Sequence, residues 1–414
     1  MTQHFSFGGF PRNRHNVSKG ITVLTILSAF HAIQQNPMLD PNIEVPSSSI
    51  PRSTDRGLNA HTNHLILRGP FRGNVVDIDA NSSARMFAPS GYGPNAIRSA
   101  YNLASTGGSG AHAIVIAYHY PNARRDFNTF STQFGLPTEG SSNQASSSNT
   151  RFQVVYQGTK APSANVGWNQ EAALDIEWSH AMAPSAKIFL VEANSNNFND
   201  LNAAIKKAAT LPGVRSVSMS FGADEFSGET NFESNFVQPG VVFFASTGDT
   251  GGQHSWPALS PKVVAVGGTS LNSSAGLWSE SAWTGTGGGI SSYFARPAYQ
   301  NAVQTIVGAK RGSPDISAVA DPNTGCAVYA PVSSTSSAWM VFGGTSLSCP
   351  IIAGIYNLSG LSSASSGAEL TRIYANLGSS SFRDVTTGSA GANASKVGYD
   401  LTTGVGTPFG LSGF

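Results

Sequence analysis

The stretch VVFFASTGDTGG, Val241–Gly252, carries the reading on which the fold turns. Its apolar opening, VVFFAS, is too short for a buried helix and lacks the alternation of a half-exposed strand. It reads as a strand covered on both faces, the kind found in parallel sheets. The glycine-rich turn that follows leaves Asp249 at the strand's carboxyl end, where open α/β sheets collect their ligands and catalytic groups. An aspartate in such a turn can also be bonding its own backbone. The stretch therefore speaks for a fold before it speaks for a function.

Working outward, runs of the same kind recur at Ala113–Tyr118 (AIVIAY), Lys187–Ala193 (KIFLVEA), Ser216–Phe221 (SVSMSF) and Val263–Gly268 (VVAVGG). Helix-like stretches fall at Gln170–Met182, Phe198–Ala209 and Thr345–Leu358. This rhythm predicts an α/β fold, with a mostly parallel central sheet and helices on both faces. Residues 1–87 show scattered Pro, Asn and Ser without sustained periodicity. They read as a leader, short pro-segment or linker, which leaves 88–414 as the main folded domain. Within them ITVLTILSAF (Ile21–Phe30), preceded by Arg12, Arg14 and Lys19, has the form of a signal-peptide core.

Composition narrows the class. Only 11% of the 414 residues are charged and the net charge is +1, against a usual charged share of about 25%. Nothing here attracts nucleic acid or an anionic membrane, and no apolar run approaches the ~20 residues of a membrane-spanning helix. With few carboxylates, little charge changes in acid, which points to an acid-exposed, extracellular protein. Cys326 and Cys349 cannot form a metal cluster by themselves. In a secreted chain they are expected to form a disulfide, contributing about 3 kcal/mol in the chain-entropy model; the other reading is two buried thiols.

GGTSLSCP, Gly343–Pro350, places Ser346 at the entry of a helix, a setting for a nucleophile. A serine hydroxyl needs a base to take its proton. Of the nine histidines, His4, His15, His31, His61 and His64 lie in the N-terminal segment, and none of His112, His119, His180 and His254 opens a helix as a histidine base would. His119, at a strand end, reads as a structural, hydrogen-bonded residue. The better source is NQEAALDIEWSHAMAP, Asn169–Pro184, with Asn169 as cap and Pro184 as stop. Glu171 and Asp175 share one face at i and i+4, while Leu174, Trp178 and Met182 form an apolar face. Two carboxylates so close hold a proton between them, which raises one apparent pKa. Such a pair can serve as a base in acid, where histidine is already protonated.

EAALDIE, SMSFGADE, STGDTGG, SPKVVAVGGTS, ESAWTGTGGGISSYF, PDISAVADP, GGTSLSCPIIAGI and GYDLTTGVGTP follow one another between about Tyr92 and Thr407. In that order they resemble the sedolisins, the serine-carboxyl peptidases. The resemblance implies a subtilisin-like fold, with Ser346 as nucleophile, Glu171 as general base and Asp175 hydrogen-bonded behind it. Asp249 would be a protonated acid in the oxyanion hole, a role that acid pH favours because only a protonated carboxyl can donate. FRDVTTG…KVGYDLTTG, Phe382–Gly404, matches the family's calcium loop. There Asp384 and Asp400 would give carboxylates to one structural Ca2+, and Val385 and Gly398 their carbonyls. Lys396 stands where the family often has glycine, which matters only if that position needs a positive φ. Phe221 stands where tryptophan is common. The implied protein is a secreted, monomeric endopeptidase acting on protein and peptide substrates. A tripeptidyl aminopeptidase and a catalytically silent binding homologue are the alternatives.

Overall fold

The computed structural model describes residues 40–73 and 89–414, which belong to one compact unit; the signal-like stretch Ile21–Phe30 lies outside them. The N-terminal segment forms β1 (Ile43–Glu44), β2 (His61–Thr62) and β3 (Leu65–Leu67). After it come α1 (Pro94–Ala100), β4 (Ala111–Ala117), α2 (Ala123–Gln133), β5 (Phe152–Tyr156), α3 (Val166–Met182) and β6 (Lys187–Ala193). Next are α4 (Phe198–Ala209), β7 (Val214–Met219), the short β8 (Phe221–Gly222) and β9 (Val242–Ser246). β10 (Val264–Ser274), β11 (Leu277–Ala282), β12 (Gly289–Ala295), α5 (Gln304–Val307), β13 (Lys310–Ser313) and β14 (Ile316–Val319) follow. Then come β15 (Cys326–Pro331), β16 (Ser337–Gly343), α6 (Thr345–Leu358) and α7 (Ser366–Ala375).

The main sheet runs β11-β10-β9-β7-β4-β6-β5, with β14 also paired to β10. Every pair in it is parallel except β10–β11. β4 is buried along its whole length, because α3 and α6 lie together over one face while α4 covers the other. That is why the strands read as unbroken apolar runs. The expected α/β architecture is the one found.

α3 is buried from Trp168 to Met182, all the way round. Its acidic residues therefore sit in the interior, not on a solvated face. It meets α6 at Gly354, where even a Cβ would stand 2.8 Å from the Cβ of Met182. The cap of α3 is Asn165, whose side chain accepts from Trp168 N, and not Asn169; Val166, Gly167 and Trp168 are already helical.

Two further expectations change. Cys326 and Cys349 are both free and buried. Cys326 lies on β15 opposite Phe342, whereas Cys349 lies in α6 with its sulfur 3.3 Å from Ser218 Oγ on β7. The two thiols belong to different layers, so no disulfide joins them. The part of the N-terminal segment within 40–73 is also more than a linker. β3 lies between β1 and β16 in a second, antiparallel sheet, β1-β3-β16-β15.

Candidate active site

Four elements meet at Ser346. It is the second residue of α6, whose cap, Gly344, has φ +92°. Glu171 and Asp175 come from the middle of α3, and Asp249 from the turn after β9. Glu171, Asp175 and Ser346 are fully buried; Asp249 is part-exposed as a residue, but its Oδ2 is buried. The structure thus brings together all four residues expected at the centre.

The carboxyl pair behaves as its spacing suggests. Ser220 Oγ donates to Asp175 Oδ1 at 2.6 Å, while Glu171 Oε1 and Asp175 Oδ2 are buried with no donor among the described residues. One proton held between the two carboxyls would satisfy both orphan oxygens. Burial lifts Glu171 well above its ordinary range, and the Ser346 hydroxyl and Asn63 N–H draw it part of the way back. Burial, followed by the charge of Glu171, lifts Asp175 as well, with Ser220 opposing.

Asp249 is held by the residue that precedes the nucleophile. Its Oδ1 accepts from the backbone N–H and the hydroxyl of Thr345, at 2.7 and 2.8 Å. Its Oδ2 has no partner among the described residues. Burial pushes this carboxyl up to about 8, against the pull of the two Thr345 bonds. It therefore carries a proton at acid and neutral pH and has one to donate. A Cβ on Gly344 would stand 2.5 Å from Asp249 Oδ2 and 2.2 Å from the carbonyl oxygen of Asn63, so glycine is required here for space as well as for φ.

That carbonyl belongs to a residue of the segment expected to be leader or linker. Ser346 N donates to Asn63 O at 3.0 Å, and Asn63 N lies 3.2 Å from both Ser346 Oγ and Glu171 Oε2. The next residue, His64, is fully buried and stacks on Phe342 with ring centroids 5.5 Å apart. Its Nδ1 stands 2.9 Å from Glu171 Oε2. Burial lowers His64 to about 4, so at neutral pH it is an uncharged neighbour of the dyad. The one signal in the sequence is the apolar triplet Leu65–Leu67, which follows the mostly polar stretch 51–64. His119, by contrast, is tied to Glu192 Oε2 at 2.7 Å, the structural role expected of it.

The residues expected to bind calcium lie in two loops joined by hydrogen bonds. Gly398 N donates to Asp384 Oδ2 at 2.9 Å, which brings the two loops together. Asp400 Oδ1 accepts from Thr402 N and Thr403 N, and its Oδ2 from Lys396 N at 3.0 Å. Gly398 has φ +81°, whereas Lys396 is not among the residues with positive φ, so a lysine fits there unstrained. Two carboxylates with the carbonyls of Val385 and Gly398 match calcium in donor chemistry. Among the described residues no three acidic, histidine or cysteine side chains cluster around a metal position, so an ion here would depend on the carbonyls.

A serine at a helix N-terminus beside a buried carboxyl pair, on a mostly parallel sheet, is the arrangement expected of a serine peptidase on a subtilisin-like fold. Residues 141–369 match the Subtilase family, and the chain belongs to it. It is 31% identical to kumamolisin of Bacillus sp. (strain MN-32) over 281 residues, 59% of this chain and 50% of that protein. With sedolisin of Pseudomonas sp. (strain 101) it shares 25% identity over 379 residues, 81% of this chain and 62% of that one. Tripeptidyl-peptidase 1 of Dictyostelium discoideum is 30% identical over 48% of this chain and 36% of its own length. The chain thus spans less than two thirds of these relatives. The solved structure of Pseudomonas sedolisin superposes with a TM-score of 0.66 at 24% identity, covering 78% of this chain and 96% of that one. The fold is shared.

Proposed function

We propose that the protein is an acid-active serine-carboxyl endopeptidase. Ser346 Oγ attacks the scissile carbonyl while Glu171 takes its proton, and Asp175 shares the dyad's remaining proton. The oxyanion is held by Ser346 N–H and by the protonated Oδ2 of Asp249, two donors fixed before reaction begins. The dyad returns its proton to the leaving amine. The observation that carries this reading is the convergence on one residue, Asn63. Ser346 N donates to Asn63 O, Glu171 Oε2 lies 3.2 Å from Asn63 N, and Asp249 Oδ2 crowds the same side of Gly344 as Asn63 O.

Endopeptidase action is favoured over tripeptidyl release by the way the segment runs. Upstream of Asn63 it stays hydrogen-bonded to the body well past three residues. Ala60 N donates to Asn196 O at 2.9 Å, and Leu58 O accepts from Phe198 N at 2.9 Å. A groove closed three residues from the nucleophile would have no room for this path. Protein and peptide substrates, a secreted and acid setting, and a calcium ion in the Asp384–Asp400 loops complete the reading. The test is a pH–rate profile on a mixed peptide library, with the cuts mapped by mass spectrometry. Internal cuts with an acid optimum are expected; release of tripeptides alone would favour the other action, and no cutting at any pH would overturn the proposal.

A further inference from the structure

Upstream of Asn63 the extended chain changes from one wall of the cleft to another. His61 and Thr62 pair antiparallel with Gly222 and Phe221 of β8. At Ala60 the chain crosses to the loop that joins β6 to α4, which leaves the carboxyl end of a parallel strand, where such sheets collect ligands. There Ala60 N donates to Asn196 O at 2.9 Å, and Asn196 Nδ2 donates to Ala60 O at 2.7 Å. Asn59 forms an antiparallel bridge with Asn197, and Phe198 N, at the start of α4, donates to Leu58 O at 2.9 Å. The amide of Asn196 is not free to turn. The Tyr118 hydroxyl donates to its Oδ1 at 2.9 Å, which leaves the nitrogen aimed at Ala60 O. Tyr118 directly follows β4 and has φ +70°, a value that costs a bulky residue free energy and persists only where its surroundings enforce it. Trp168 of α3 lies edge to face with its ring, the centroids 6.0 Å apart.

We infer that Asn196–Phe198 is a remote acyl-side subsite, which takes a substrate's main chain four to six residues before the cut bond, and that Tyr118 is its positioning residue. The inference rests on Ser346 being the nucleophile. Asn63, whose carbonyl lies on Ser346 N–H, then marks the first acyl-side residue. Counting back from it, Ala60 stands at the fourth place, Asn59 at the fifth and Leu58 at the sixth. The hydrogen bonds at the fourth and sixth places go to main chain, and the Leu58 side chain is 57% exposed. The subsite therefore reads length and extension, with little demand on the sixth side chain. Its ligand is an extended polypeptide with six or more residues ahead of the bond, a protein or a long peptide. The fourth residue must give an N–H to Asn196 O, which proline lacks. Binding so far from the reacting carbonyl holds the chain in line for attack.

The experiment measures kcat/KM of the full chain on synthetic peptides that share one cut bond and carry three, four or six residues on its acyl side. A rise of about tenfold is expected from three residues to four, the scale of two hydrogen bonds, and of about threefold more to six. Proline at the fourth place should cancel the first gain; these peptides need no variant. In Asn196→Ala the ratio of the six-residue to the three-residue rate should shrink about threefold to tenfold. Tyr118→Phe, which keeps the ring and loses the hydroxyl, should shrink it less. Combined, the two should do little more than Asn196→Ala alone, because Tyr118 acts through that amide. Plain structural damage would lower both rates alike and leave the ratio in place. A wild-type ratio near one, or a ratio that neither variant changes, overturns the inference while the proposed function stands. If no peptide of any length is cut, that function falls first and this inference with it.

Discussion

Thr345 binds one oxygen of Asp249 twice, through its backbone N–H and its hydroxyl, which leaves the other oxygen aimed at the Gly344–Ser346 turn. A carboxyl fixed on one side and orphaned on the other is arranged to donate. Asp249→Asn keeps a donor that cannot ionise, so turnover should fall by no more than about 10²–10³-fold, the scale of one oxyanion-hole donor. The alkaline limb should change more than the rate. With the segment in place burial holds this carboxyl at about 8, and opening the cleft to water relaxes that burial and moves the limb toward acid. In the Asp249→Asn enzyme the limb should be absent. A pH–rate profile whose alkaline side is unchanged by the substitution would remove Asp249 from the oxyanion hole.

Ser346→Ala should abolish peptidase activity, a loss of about 10⁶-fold in turnover for a nucleophile acting within a catalytic unit. Glu171→Gln should be nearly as severe, since no other base among the described residues is placed to accept the proton. Circular dichroism should report an intact fold in both variants. A folded Ser346→Ala enzyme with a tenth of the wild-type rate would refute the assignment.

Chelation should lower the melting temperature if calcium occupies the Asp384–Asp400 loops, because an ion bound only to the native state stabilises it by mass action. Asp384→Asn should reduce the calcium-dependent part of that stability while leaving the pH profile of catalysis in place. The readouts are melting curves with calcium or EDTA and elemental analysis. Equal curves and no bound metal would mean that these aspartates only tie two turns together.

The sheet and the catalytic helices were legible because burial on both faces writes long apolar runs. Phe198–Ala209 and Thr345–Leu358 match their predicted bounds. Glu171 and Asp175 were legible as a pair from their spacing, but not that α3 is buried on every side. Asn63 and His64 were not legible. Strands of two or three residues have no period to detect, and their partners, Gly222 and Gly343, lie more than 150 residues away. What holds the segment is backbone pairing, which leaves little trace in side-chain pattern. The cysteines misled for the opposite reason: sequence separation reports the length of a possible loop, not the layers in which its ends lie.

Buried acids make the protein's stability run against the usual direction. Asp249 and Glu229 are pushed up to about 8, chiefly by burial, and Glu171, Asp175 and Glu177 are raised for the same reason. Each such proton, one apiece on Asp249, Glu229 and Glu177 and one shared by Glu171 and Asp175, is kept by the folded chain at a pH where the unfolded chain has released it. Its contribution is therefore fully present below the ordinary carboxylate range and is lost as pH rises toward the folded value, at about 1.4 kcal/mol per pH unit for each proton. The buried histidines act in the opposite sense. Burial lowers His64 and His180 to about 4 and His112 to about 3, so below pH ~6.5 the unfolded chain takes up protons that the folded one refuses. Between about 4.5 and 6.5 the two sets largely offset, leaving a shallow fall with pH. Above about 6.5 the histidines drop out, and the acids alone set a steep loss toward pH ~8. Melting curves of Ser346→Ala, the variant expected to lack activity, should therefore show their maximum in mild acid and their steepest decline between pH ~6.5 and ~8. Asp249→Asn in that background should flatten the decline by about one proton's worth. A melting temperature that holds or rises over that interval would mean that these carboxyls are ionised in the folded protein, and with them the acid proposed for the oxyanion hole.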